Sequence, residues 1–175
     1  MKNKYLLEIV ISLFLLFSLY SFSQNSPIFW TKISKNDYSK NELKYRKTEP
    51  NKAEYYNLDI EALKSYLEGA PNRKNKLISN QKFLDIPNSD DSFETYSILE
   101  APVLDPELQH KYPNIRTYVG KSTKNPSNTI RFSITPQGFH SMSFISGSGT
   151  EFIDPYSNDA GAYITYRKRD LPVLD

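Results

Sequence analysis

His110 and His140 are the only imidazoles in this chain, and it contains no cysteine. Catalytic zinc needs three protein ligands converging at about 2 Å, and hydrolases commonly supply two of them from a helical His-Glu-x-x-His. Here His110 runs into Lys111-Tyr112-Pro113, and His140 falls in a distant strand-like stretch. Neither has a second ligand at helical spacing. Both are read as surface or half-buried imidazoles, and this chain is expected to hold no metal or other cofactor. The missing cysteines also remove thiolate nucleophiles, disulfides and cysteine-zinc sites.

A Ser-His-Asp arrangement stays open by inventory, but Ser146-Gly147-Ser148-Gly149 lacks the strand-turn-helix frame of a nucleophile elbow and reads as a hairpin loop. Asp90-Asp91, and Asp154 with Asp159, could bind a cation or exchange protons. Their turn-like settings favour capping and solvation instead. Calcium-loop and phosphate-loop patterns are absent, so no catalytic residue is assigned. Arg167-Lys168-Arg169 is a compact basic cluster, either a processing site for a dibasic-specific protease or a solvated strand end. The aromatic series from Phe132 through Phe144 to Tyr166 either lines a glycan- or peptide-binding face or forms the core side of a sheet.

The elements that position these residues divide the chain into three. Residues 1–23 read as a signal peptide: Lys2 and Lys4 make a basic start, and Ile9 to Phe17 make an apolar run. That run is shorter than the roughly 20 residues a spanning helix needs. Small residues at Ser21 and Ser23 place the cut between Ser23 and Gln24. Signal peptidase and the secretion machinery are therefore expected partners, with a secreted or extracytoplasmic location and no permanent membrane span. Residues 24–52 read as an extended polar arm, anchored where Phe29 and Trp30 lie on the domain. The 22 basic and 20 acidic residues nearly balance and the excess is spread, so neither nucleic acid nor an anionic membrane is indicated.

Residues 53–175 read as one α+β domain, an antiparallel β meander with one or two short helices. Asp59 caps a helix carrying Ile60, Leu63 and Leu67, which Gly69 and Pro71 end. Asp105-Pro106 starts a second short helix, stopped by Pro113. Strand-like runs cover 53–58, 77–86, 92–99, 115–119, 129–135, 139–145, 150–153 and 162–167, separated by turns such as Pro87-Asn88-Ser89-Asp90-Asp91 and Pro136-Gln137-Gly138.

Several segments together are similar to the N-terminal pro-region of secreted flavobacterial reprolysin-like zinc metallopeptidases. They are Phe29-Trp30-Thr31-Lys32, Tyr56-Asn57-Leu58-Asp59 and, most specifically, Glu100 to Leu108 continuing through Lys111-Tyr112-Pro113-Asn114-Ile115 to Tyr118-Val119-Gly120. Ile130 to Ser133, Pro136 to His140 and Phe152 to Tyr156 follow in the same order. The resemblance implies a propeptide that assists folding of a zinc metalloprotease catalytic domain, or blocks its cleft, in cis or in trans. The zinc would belong to that catalytic domain, expected beyond Asp175, because this chain reaches its end without a His-Glu-x-x-His. Two other readings compete: a free-standing extracytoplasmic glycan- or peptide-binding module, which would group solvent-facing Tyr or Trp on one surface, and an enzyme of unfamiliar type.

Overall fold

The computed structural model describes residues 28–39, 42–43, 48–75 and 80–173. Nine strands form a single antiparallel sheet: β1 (Trp30–Lys32), β2 (Glu54–Leu58), β3 (Lys82–Pro87), β4 (Phe93–Glu100), β5 (Arg116–Ser122), β6 (Thr129–Thr135), β7 (Gly138–Ile145), β8 (Gly149–Pro155) and β9 (Ala162–Arg167). Their order is β1-β2-β9-β8-β7-β6-β5-β4-β3. Consecutive strands from β3 to β9 are thus neighbours, the expected meander, and β2 adds to its last strand. Among the described residues two short α-helices, α1 (Ile60–Leu67) and α2 (Pro106–Lys111), complete the α+β fold.

Local chemistry sets both helix starts. The Asp59 carboxylate accepts from the Ala62 amide at 2.9 Å, and the Asp105 carboxylate accepts from Leu108 at the same distance. Each satisfies an amide that the first helical turn leaves without a partner. Gly69, at φ +70°, ends α1 in a left-handed conformation. Leu63 and Leu67 of α1 are fully buried, whereas α2 buries nothing.

The sheet curls until its two ends approach. Inward positions alternate along each strand, so Tyr96 and Ile98, Ile130, Phe132 and Ile134, and Ile153 and Tyr163 share one core with Trp30, Tyr56, Phe139 and the buried side of α1. Trp30 meets Phe139 and Tyr163 edge to face, with centroids 5.3 and 5.6 Å apart, a geometry that adds about 0.5–1.5 kcal/mol per pair beyond area burial. Gly120 is demanded by this packing: a Cβ there would lie 2.8 Å from Ile98 Cδ1 and 2.9 Å from Ile130 Cγ2.

A second, smaller core lies on the opposite face of β9, where Tyr156, Ala162, Ile164 and Tyr166 pack against Ile33, Tyr38, Leu43, Ala53 and Tyr55. Of the stretch read as a polar arm, the described residues 28–39 and 42–43 do more than rest on a domain that begins at residue 53. Phe29 and Trp30 are core residues, Trp30–Lys32 is an edge strand, and Ile33, Tyr38 and Leu43 cover the outside of β9. Three strand residues and a few isolated apolar ones are too few to show periodicity, although each occupies a defined place.

Edge strands invite unwanted pairing, and β3 is protected. In an antiparallel strand the outward-pointing N–H and C=O groups belong to alternate residues, here Phe83, Asp85 and Pro87. The Tyr66 hydroxyl donates to the Phe83 carbonyl at 2.8 Å and accepts from its amide at 3.2 Å. Pro87 has no amide to offer. Two of the three outward positions on this edge are thus closed to strand addition.

Candidate functional site

Two places concentrate chemistry. One is the seam where the curled sheet nearly closes. The turn between β3 and β4 carries Ser89, Asp90 and Asp91 back towards the other end of the sheet. Ser89 Oγ donates to Glu151 Oε1 at 2.8 Å, and Arg167 Nε donates to the same oxygen at 2.8 Å. The other end of the Arg167 guanidinium pairs with Asp90, which also accepts from Lys52 at 3.2 Å. Asp91 pairs with Lys32 and accepts from the Tyr56 hydroxyl at 3.0 Å. The Arg167 and Glu151 side chains retain only 12% and 6% of their accessibility.

The cations hold both aspartates below the ordinary carboxylate range: chiefly Lys52, with Arg167, for Asp90, and chiefly Lys32, with the Tyr56 hydroxyl, for Asp91. Burial pushes the Tyr56 phenol well up. Ser89, Asp90, Asp91, Glu151, Arg167 and the Tyr56 hydroxyl each have a protein partner already, and these bonds tie the two ends of the sheet together. Asp90 and Asp91, read from sequence as capping and solvated carboxylates, are half-exposed in their turn and also form the ionic link across the seam.

The second place is the outer face of β4 to β8. Residues opposite the core positions form a row across the strands: Leu99, Val119, Arg131, Met142 and Phe152, each the direct partner of the next. Met142 is 48% exposed, and Phe144 beside it on β7 is 54% exposed. A parallel row places Thr117 opposite Ser133 and Ser133 opposite His140. His140 Nδ1 lies 3.0 Å from Asp154 Oδ1, and the Tyr166 hydroxyl donates to Asp154 Oδ2 at 2.7 Å.

Arg73 reaches the same face because its amide is tied to the Glu100 carbonyl at 2.9 Å, at the end of β4. Two adjoining grooves result, of about 420 and 490 Å³, and Arg73, Val119 and Arg131 line both. Ser133, His140 and Asp154 succeed one another across three strands in the order of a hydrolase triad. Yet the Ser133 hydroxyl makes no hydrogen bond to His140 among the described residues, and interior strands such as β6 and β7 commit their amides to the ladder rather than to an oxyanion. The arrangement sets two guanidiniums and an imidazole in partly apolar walls.

The residues singled out from sequence fall as follows. Ser23 and Gln24 lie outside the described residues. Arg167 is locked in the seam, while Lys168 and Arg169 are exposed on a 3-10 turn over Lys168–Asp170; a protease requiring an extended chain through Arg167 would first have to break its ion pairs. His110 is exposed at the end of α2. Ser146 to Gly149 is the expected hairpin loop between β7 and β8, with Gly147 and Gly149 at φ +78° and +91°. Phe132 and Tyr166 are buried in separate cores on opposite faces of the sheet, and only Phe144 of that aromatic series is exposed.

Sequence reasoning missed Arg73, Arg131 and Glu151. Glu151 carried a readable signal, since strand alternation puts it on the same side as Ile153. Among the described residues no group of three or more His, Asp or Glu side chains is placed to hold a metal ion, and no helix is long and apolar enough to cross a membrane. Comparison with family models, curated proteins and solved structures found no match to this chain.

Proposed function

We propose that this chain is a non-catalytic, propeptide-like domain of an exported zinc metalloprotease, which assists folding of the catalytic domain, blocks its cleft, or both. Export rests on the reading of residues 1–23 as a signal peptide, and the partner on the ordered resemblance from Phe29 to Tyr156. The structural observation that carries the reading is the outer sheet face, where Val119, Arg131, Met142, Phe144 and Phe152 stand together with no element of the described chain laid over Met142 or Phe144. The equivalent face of β9 is covered by Ile33, Tyr38, Leu43, Ala53 and Tyr55. Exposed apolar groups grouped on one face mark an interaction surface.

A glycan-binding module draws less support. Trp30 is a core residue, and Phe132, Tyr163 and Tyr166 are buried, leaving no row of stacked aromatic faces for sugar rings among the described residues. The test is direct: the exported chain is mixed in equimolar amount with a separately produced protease of the family, and cleavage of a fluorescent peptide is followed. Slowed cleavage, or a raised yield of active protease on refolding, is the expected result. Unchanged activity together with unchanged refolding yield would overturn the proposal.

A further inference from the structure

We infer that Arg73 and Arg131 make the outer face selective for an extended partner segment that presents a carboxylate between two apolar side chains. Arg131 sits mid-row, with Val119 as its direct partner on β5 and Met142 on β7. It and Arg73 are exposed and form no ion pair among the described residues. The one carboxylate lining either groove, Asp154, is already bonded to His140 and Tyr166. Lys121 lines the second groove and adds positive charge.

Charge decides which partner can close over this surface. An apolar partner laid on Val119, Met142 and Phe152 would strip water from the Arg131 guanidinium, and a desolvated charge without a counter-ion is strongly unfavourable. A carboxylate placed over it converts that penalty into a charge-assisted, bidentate hydrogen-bonded pair.

Spacing decides the partner's form. Neighbouring strands are about 4.8 Å apart, so Val119 on β5 and Phe152 on β8 are separated by about 14 Å. An extended segment crossing the strands advances about 6.8 Å per pair of residues, so its side chains i and i+4 reach Val119 and Phe152. Side chain i+2 then falls between Arg131 and Met142. Apolar, acidic, apolar at alternate positions is the matching pattern.

This inference rests on the outer face being a docking surface, as proposed above, but it needs no particular protease. The probe is a fluorescein-labelled peptide in which Leu, Glu and Leu alternate with Ser, compared by fluorescence polarisation with its Gln counterpart. The exported chain is expected to prefer the Glu peptide by about tenfold or more, as charge-assisted pairs allow. That preference is expected to vanish in the R73Q/R131Q double variant and to persist in the K74Q control, with unchanged Trp30 emission showing that both variants fold. Equal affinity for the two peptides, no binding of either up to a few millimolar, or a preference surviving in R73Q/R131Q would each overturn the inference. Selective peptide binding by a chain that leaves the protease untouched would support the site while refuting the protease reading. Full inhibition retained by R73Q/R131Q would do the reverse.

Discussion

Replacing Arg167 by methionine tests whether the seam closes the sheet. The substitution keeps the length of the aliphatic stem and removes the charge. Glu151 then keeps only the Ser89 hydroxyl as partner while remaining almost wholly buried. Breaking one side of a buried ion pair typically costs about 3–5 kcal/mol, because the remaining charge is left uncompensated. The half-exposed Asp90 adds little to that figure, since screened pairs contribute at most about 1 kcal/mol. About 3 kcal/mol is therefore expected, equivalent to a fall in Tm of about 6–12 °C for a domain of this size. Trp30, the single tryptophan and 3% exposed, reports unfolding from inside the core, and urea and thermal titrations of its fluorescence give the stability change. Pairing R167M with Glu151→Gln removes the stranded charge, so the double variant is expected to be more stable than R167M alone. A loss under about 1 kcal/mol for R167M, or a double variant weaker than R167M, would refute the reasoning.

Tyr66→Phe removes the hydroxyl that serves both the amide and the carbonyl of Phe83. A stability loss of about 1 kcal/mol is expected, along with concentration-dependent self-association through the opened β3 edge in sedimentation runs; a strictly monomeric Y66F would show that the tyrosine does not guard this edge. Acid provides the remaining test. Asp90 and Asp91 have folded pKa values below the ordinary 3.8, so their stabilisation is present above that pH and is lost as pH falls through the folded values. The urea midpoint is expected to drop below about pH 4, less steeply in D90N/D91N, and an identical pH profile for the two proteins would count against the ionic seam.

Elements governed by local chemistry were legible in the sequence. Asp59 and Asp105-Pro106 announced the helices, glycine-bearing turns separated the strands, and β6 and β9 occupy the residues their β-forming runs indicated. The closure was not legible, because its bonds join residues distant in the chain. Asp90 meets Arg167, Ser89 meets Glu151 and Lys32 meets Asp91, and a short acidic turn looks the same whether it faces water or a guanidinium. Trp30–Lys32 escaped for a different reason: three residues give no alternation to read, and their strand exists only because β2 pairs with it.

The charge balance shows how composition can conceal a surface. With basic and acidic residues nearly equal and basic residues scattered, the sequence indicated neither nucleic acid nor an anionic membrane. Folding sorts those charges. Glu54, Asp90, Asp91 and Glu151 are drawn into the seam with Lys32, Lys52 and Arg167, and Glu100 is taken by Arg116. Arg73, Lys121 and Arg131, far apart in sequence, meet around one groove from which carboxylates are missing. Near-neutrality of the whole chain is thus compatible with local excess of one sign, because ion pairing at the closure withdraws acids from the face beyond it. The pairing that joins the two ends of the sheet thus leaves Arg73, Lys121 and Arg131 among apolar neighbours on the outer side, and the partner inferred above is one that brings both a carboxylate and hydrocarbon to them.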